Sequence, residues 1–296
     1  MRRIARLIPL VLASTVGAQG GPSNPEIYLL PMSVKGSAVT VGAPRNITMR
    51  EGYDNQPMFS PDGKHLYFTS VRADSQADIY RYDIASKATT RITTTAPESE
   101  YSATVMPDGK AVSVIRVEKD STQRLWRVPT GAGDSRVIYR DIKPVGYHTW
   151  LDANHAALFV LGSPNALVLA DTRTGKGDTL ARDIGRSLVT LPHGGGFSYF
   201  SHRGQDWMLT QVRTTRAGKP GYITPLIMVP RGMDYIAWIG GSALGGTGSK
   251  LMMWTPGTTE WREVADLSAQ GIGRISRIVV DRHLKQLAIV AEPNAK

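Results

Sequence analysis

The chain has 296 residues, 41% of them hydrophobic, with 35 Lys and Arg against 25 Asp and Glu and no cysteine. That length can bury a sizeable core in one large domain or two small ones. Lack of cysteine excludes disulfides, thiolate chemistry and lipid attachment at an N-terminal cysteine, and the lack of any long block of like charge argues against a nucleic-acid arm.

In chain order, Arg2, Arg3 and Arg6 precede an apolar stretch from Leu7 to Ala13, and Val16-Gly17-Ala18 supplies small residues for cleavage. This pattern predicts a secretory leader over residues 1–18, so that a mature chain begins near Gln19. Without the leader's three arginines, 32 basic residues face 25 acidic ones, a mildly basic surface. A short linker at 19–25 is expected to lead into a folded domain over 26–292, with 293–296 as a tail.

The stretch QPMFSPDGKHLYFTSVRADSQADIYRYD, residues 56–83, predicts strands at Gln56–Ser60, His65–Ser70 and Asp78–Tyr82, with a fourth at Thr89–Thr93. Pro61-Asp62-Gly63-Lys64 makes the first turn, where glycine tolerates a positive φ. The same turn returns 46 residues later as Pro107-Asp108-Gly109-Lys110, and in degraded form as Leu151-Asp152-Ala153-Asn154. Third-strand signals centre on Ile27, Ile79, Leu125, Leu167, Trp207 and Leu251, at intervals of 52, 46, 42, 40 and 44 residues. A period of this size corresponds to one four-stranded propeller blade.

The chain enters on a third-strand signal at Ile27 and leaves on a first and second pair, Ile275–Val280 and Gln286–Ala291. The two incomplete ends make one blade between them. The expected fold is therefore all-β: a six-bladed β-propeller of four-stranded antiparallel blades, the last closed by N-terminal strands so that no long edge stays open. Trp126, Trp150, Trp207 and Trp238 fall at repeat-related strand sites and are expected to pack between blades.

Phe59-Ser60-Pro61-Asp62-Gly63-Lys64, then Phe68-Thr69-Ser70 with Arg72, then Asp78-Ile79-Tyr80, resembles the WD40-like repeat of TolB-type β-propellers. Tyr199 to Trp207 resembles its second half again. The resemblance implies the propeller fold, with ligands held where the fourth-to-first and second-to-third strand loops meet around the channel. It does not imply TolB's own envelope role, because TolB carries an α/β domain before its propeller and the expected linker here is short.

Mapping the repeat onto that face places Tyr53, Asp54 and Asn55, then Glu100 and Tyr101, Tyr147 and His148, Arg186 and Ser187, Asp234 and Tyr235, and Arg274 and Arg277 at the channel entrance. The candidate partner-binding set is Asp54, Asn55, Arg72, Glu100, Tyr101, His148, Arg186, His202, Arg203, Asp234, Tyr235 and Arg274. This mixture of Arg, carboxylate, Tyr and His suits a polar or anionic peptide, or a sugar.

Of six histidines, only His148 and His202 map to the ligand face, short of the three protein ligands a catalytic metal wants. There is no Gly-x-Ser-x-Gly elbow, and Gly194-Gly195-Gly196 lacks the Lys-Ser/Thr of a phosphate loop. The expectation is a monomeric, exported, non-catalytic binding module for a periplasmic or surface protein or peptide, with no cofactor, metal, nucleic acid or transmembrane anchor. The alternative is a lyase-like enzyme on an anionic polysaccharide, with Arg186, Arg203 and Arg274 holding carboxylates and His148 or Tyr235 as base.

Overall fold

The computed structural model describes residues 24–72, 75–215 and 218–294; the expected leader at 1–18 lies outside them. Six antiparallel sheets follow one another along the chain, each running outward from an innermost strand. Blade one comprises Asp54–Phe59, His65–Val71, Ala77–Asp83 and Thr89–Arg91, and blade two comprises Ser99–Val105, Ala111–Val117, Gln123–Pro129 and Arg136–Val137. Blade three runs from Val145–Trp150 to Lys176–Arg182, blade four from Ile184–Thr190 to Pro220–Met228, and blade five from Ile236–Ile239 to Arg262–Asp266.

Blade six joins the two ends of the chain. Ile272–Val280 and Gln286–Pro293 supply its inner strands, and Glu26–Lys35 pairs with the second of them, Ile27 opposite Val290 and Leu29 opposite Ala288. The outer edge is split into Ala38–Val41 and Arg45–Asn46, both paired to Glu26–Lys35.

The turns follow from local chemistry. Asp62 Oδ1 accepts from the Lys64 amide at 3.0 Å and from Ser60 Oγ at 2.6 Å, while Gly63 takes φ +69°. Asp108 repeats the amide bond with Lys110 at 2.9 Å, and Asp152 keeps it with Asn154 at 2.8 Å although its glycine is gone. Asp281 plays the same part in blade six, accepting from the Lys285 and Gln286 amides at 2.7 Å each.

Middle strands such as His65–Val71 are buried along five consecutive residues because neighbouring blades cover both faces. Outer strands such as Lys176–Arg182 are mostly exposed. Six hydrophobic clusters result, one between each pair of adjacent blades. Ile27, Leu29, Ala288 and Val290 pack against Phe59, Leu66 and Phe68 of blade one, while Leu30, Ile275 and Ile289 pack against Leu244 and Leu251 of blade five. Closure thus buries large aliphatic side chains on both flanks, each worth about 1.5–3 kcal/mol.

One repeat position differs from the sequence expectation. In blade four the second hairpin extends to a tight turn at Gly204-Gln205, so Trp207 pairs with His202 beside that turn and stays half-buried. The fully buried residue equivalent to Ile79 and Leu125 is Leu209, which places this copy 42 residues from both Leu167 and Leu251.

Candidate functional site

The fourth-to-first connections and second-to-third turns share one face, where the inner strands begin. Five inner strands carry register shifts near or within this end, between Asn55 and Met58, Tyr101 and Thr104, Val145 and Tyr147, Ile184 and Leu188, and at two places in Ile272–Val280. Such bulges re-aim side chains that a regular strand would send into the blade interfaces. At one bulge Gln56 takes φ +59°, and its Oε1 accepts from the Ser102 amide at 2.7 Å, tying blade one to the matching bulge of blade two.

At the centre, Arg277 lies 4.0 Å from the ring centroid of Tyr235 and 5.1 Å from that of Tyr147. The two rings meet edge-on with centroids 6.3 Å apart. Burial alone would raise the Tyr147 phenol, but the charges of Arg277 and Arg186, with hydrogen bonding to Tyr235 and Arg277, bring it below the usual 10. Burial pushes Tyr235 well above its ordinary value, and proximity to Tyr147 adds to that, so one phenol of the pair ionises early at the expense of the other. Burial also pushes Tyr53 up to about 12, against the opposing charges of Arg277 and Arg186 and with Tyr147 and Tyr101 as near neighbours. Tyr235 Oη is buried without a well-formed hydrogen bond among the described residues.

Around this centre the candidate residues divide by environment. Arg186, His202, Arg203, Asp234 and Arg274 are exposed, and Asp234 pairs with Arg274 at 3.3 Å. His202 stacks on Trp207 at 3.7 Å between centroids, with Asp183 3.5 Å away. Arg72 lies 4.1 Å over the Tyr80 ring and donates to Ser70 Oγ at 3.2 Å. Asn55, Tyr101 and Tyr235 are half-buried on the inner strands or just before them.

The other three are enclosed. Asp54 is fully buried and accepts from Arg50 at 2.7 Å. Glu100 is fully buried 2.9 Å from Arg116; burial raises its pKa, partly offset by the Thr95 hydroxyl and the Arg116 charge. His148 meets Ser113 Oγ of blade two at 2.6 Å and has its pKa pushed down to about 3 by burial, so it is neutral at physiological pH. These three side chains join neighbouring segments and present no charge to the entrance. Arg277, Tyr53 and Tyr147, which the repeat map puts at the entrance but the candidate set omits, form the centre.

Among the described residues no group of three or more His, Asp and Glu could hold a metal, and no helix is long and apolar enough to cross a membrane. Two clefts of about 290 and 230 Å³ lie away from the channel, one beside His155 and Lys176, the other between Pro192 and Trp238.

No family model matches the chain. The putative TolB of Agrobacterium tumefaciens superposes with a TM-score of 0.68 at 14% identity, covering 93% of this chain and 100% of that one. The chain has the TolB-type propeller fold. TolB of Acinetobacter baumannii gives 0.60 at 12% identity over 93% of this chain and 65% of its own, a little under two thirds. An oligogalacturonate lyase from Vibrio parahaemolyticus gives 0.55 at 12% identity over 92% of this chain and 99% of its own. In sequence, dipeptidyl-peptidase 5 of Porphyromonas gingivalis is 29% identical over 135 residues, 44% of this chain and 18% of the peptidase. The TolB-like propeller therefore matches only a small part of that enzyme's length.

Proposed function

We propose that this TolB-like propeller is an exported, non-catalytic binding module that captures a protein or peptide partner on its channel face. One observation carries the reading. At the point where the six blades converge, Arg186 and Arg277 stand among phenols with no carboxylate in ion-pair contact among the described residues, while Arg50, Arg91, Arg116 and Arg124 are each paired with a carboxylate. A positive charge without an ion-pair partner among the described residues, at the centre of the ring of blades, is suited to an incoming anionic or polar group, and exposed Arg203, Asp234 and Arg274 would surround it as a polar rim.

The leader-like segment at 1–18 supports export, and the resemblance to TolB structures supports a binding scaffold rather than any particular partner. The test is affinity capture from an envelope extract with the intact chain and with an R72E/R203E/D234R variant. Loss of a specific partner from the variant, with folding retained by circular dichroism, is the expected result. Equal recovery of the same partners would reject the channel face as the binding surface.

A further inference from the structure

The unpaired arginines point to a ligand class, an inference that rests on the channel-face reading above. Arg277 lies over the Tyr235 ring and beside that of Tyr147, and the charge of the exposed Arg186 acts on these two phenols and on Tyr53, so two positive charges converge on one group of rings. The chain supplies no counter-ion: among the described residues neither arginine has an ion-pair partner, while Arg274 at the rim has Asp234. What surrounds them is a set of hydroxyls from four blades, with Tyr235 Oη buried beside Tyr147 and without a well-formed hydrogen bond among the described residues. Hydroxyl and guanidinium donors converging without an acceptor charge are a complement to a carboxylate, which takes several such bonds at once.

We infer that Arg186 and Arg277, with Tyr53, Tyr101, Tyr147 and Tyr235, form a receptor for a peptide carboxylate at the centre of the propeller. The lowering of the Tyr147 pKa, in which the charges of Arg277 and Arg186 outweigh burial, has the same origin: negative charge is favoured at this point.

A peptide fits better than a uronate chain because three of the aromatic rings near this face already carry a stacked neighbour. Arg277 covers Tyr235, Arg72 covers Tyr80 and His202 covers Trp207. A carboxylate on a slender peptide needs no free ring face. It can come from a chain terminus or from an acidic side chain, and the experiment separates the two.

The side-chain Nε–Hε resonance of Arg277 in the isotope-labelled full chain reports on the site directly. Four probes are titrated: an acetylated glycine tripeptide with a free carboxyl terminus, its amide, an amidated tripeptide with a central aspartate, and digalacturonate. Movement with one or both carboxylate peptides and not with the amide supports the receptor, and whichever peptide acts names the carboxylate's source. R186M should then weaken that binding about tenfold, the loss of one charge-assisted contact, while R173M on the far side changes nothing. An equal response to the amide, no response to any peptide, or a response to digalacturonate alone would overturn it. If these titrations fail while capture still depends on Arg72, Arg203 and Asp234, the carboxylate site falls and the binding-module reading stands. If capture ignores those rim residues, that reading falls instead.

Discussion

Arg277 and Tyr235 stand 4.0 Å apart, guanidinium over ring, although one belongs to the inner strand of blade six and the other to the loop entering blade five. The charge of that guanidinium favours the anionic form of the neighbouring Tyr147. Titration of the phenolate absorbance should show one tyrosine ionising below the ordinary value of 10, and R277M should move that step upward. An unchanged first step in the variant would remove Arg277 as its cause.

Trp150 makes a second junction between blades. Its indole nitrogen donates to Ser113 Oγ at 2.9 Å, and Trp238 repeats the bond to Ser198 Oγ at the same distance two blades further on. Ser113→Ala leaves a buried indole N–H and the His148 ring without this partner, and should cost about 1–3 kcal/mol in urea unfolding. A loss within experimental error would mean that the indole finds another acceptor.

His148 makes stability depend on pH. Its folded pKa, near 3, lies below the ordinary 6.5, so the unfolded chain binds a proton that the folded chain refuses. The contribution is complete above pH 6.5 and is lost as pH falls toward 3. Between pH 6.5 and 5 that loss should reach about 2 kcal/mol, and His148→Gln should flatten this part of the profile. Parallel profiles for the two proteins would contradict a buried neutral His148.

The repeat position in blade four separates packing from sequence likeness. Leu209→Ala should cost about 2–5 kcal/mol by opening a cavity between blades, while Trp207→Ala, half-exposed beside its turn, should cost clearly less. Chemical denaturation of the two variants checks the order.

How much of this was legible in the sequence follows from which features are local. The Asp62 and Asp108 turns could be read because a tight turn needs particular side chains and a positive φ at fixed spacing. Closure of the ring by Ile27 could be read because the incomplete ends are complementary. The shift from Trp207 to Leu209 could not, since both residues are apolar, share a strand face and differ only in hairpin length. Tyr53, Tyr147 and Arg277 mapped to the right end of their blades, but their convergence depends on bulges, and one extra residue in a strand exchanges its two faces. The same ambiguity made Asp54 and Glu100 resemble entrance charges, although their carboxylates turn inward to Arg50 and Arg116.

The measurement that bears most directly on the account is hydrogen exchange of the intact chain alone and with its captured partner. Slowed exchange should centre on residues 53–55, 100–101, 186, 234–235 and 274–277, the entrance ends of the blades. Slowing confined to the Asp62, Asp108 and Asp281 turns on the opposite face, with the entrance unchanged, would contradict it.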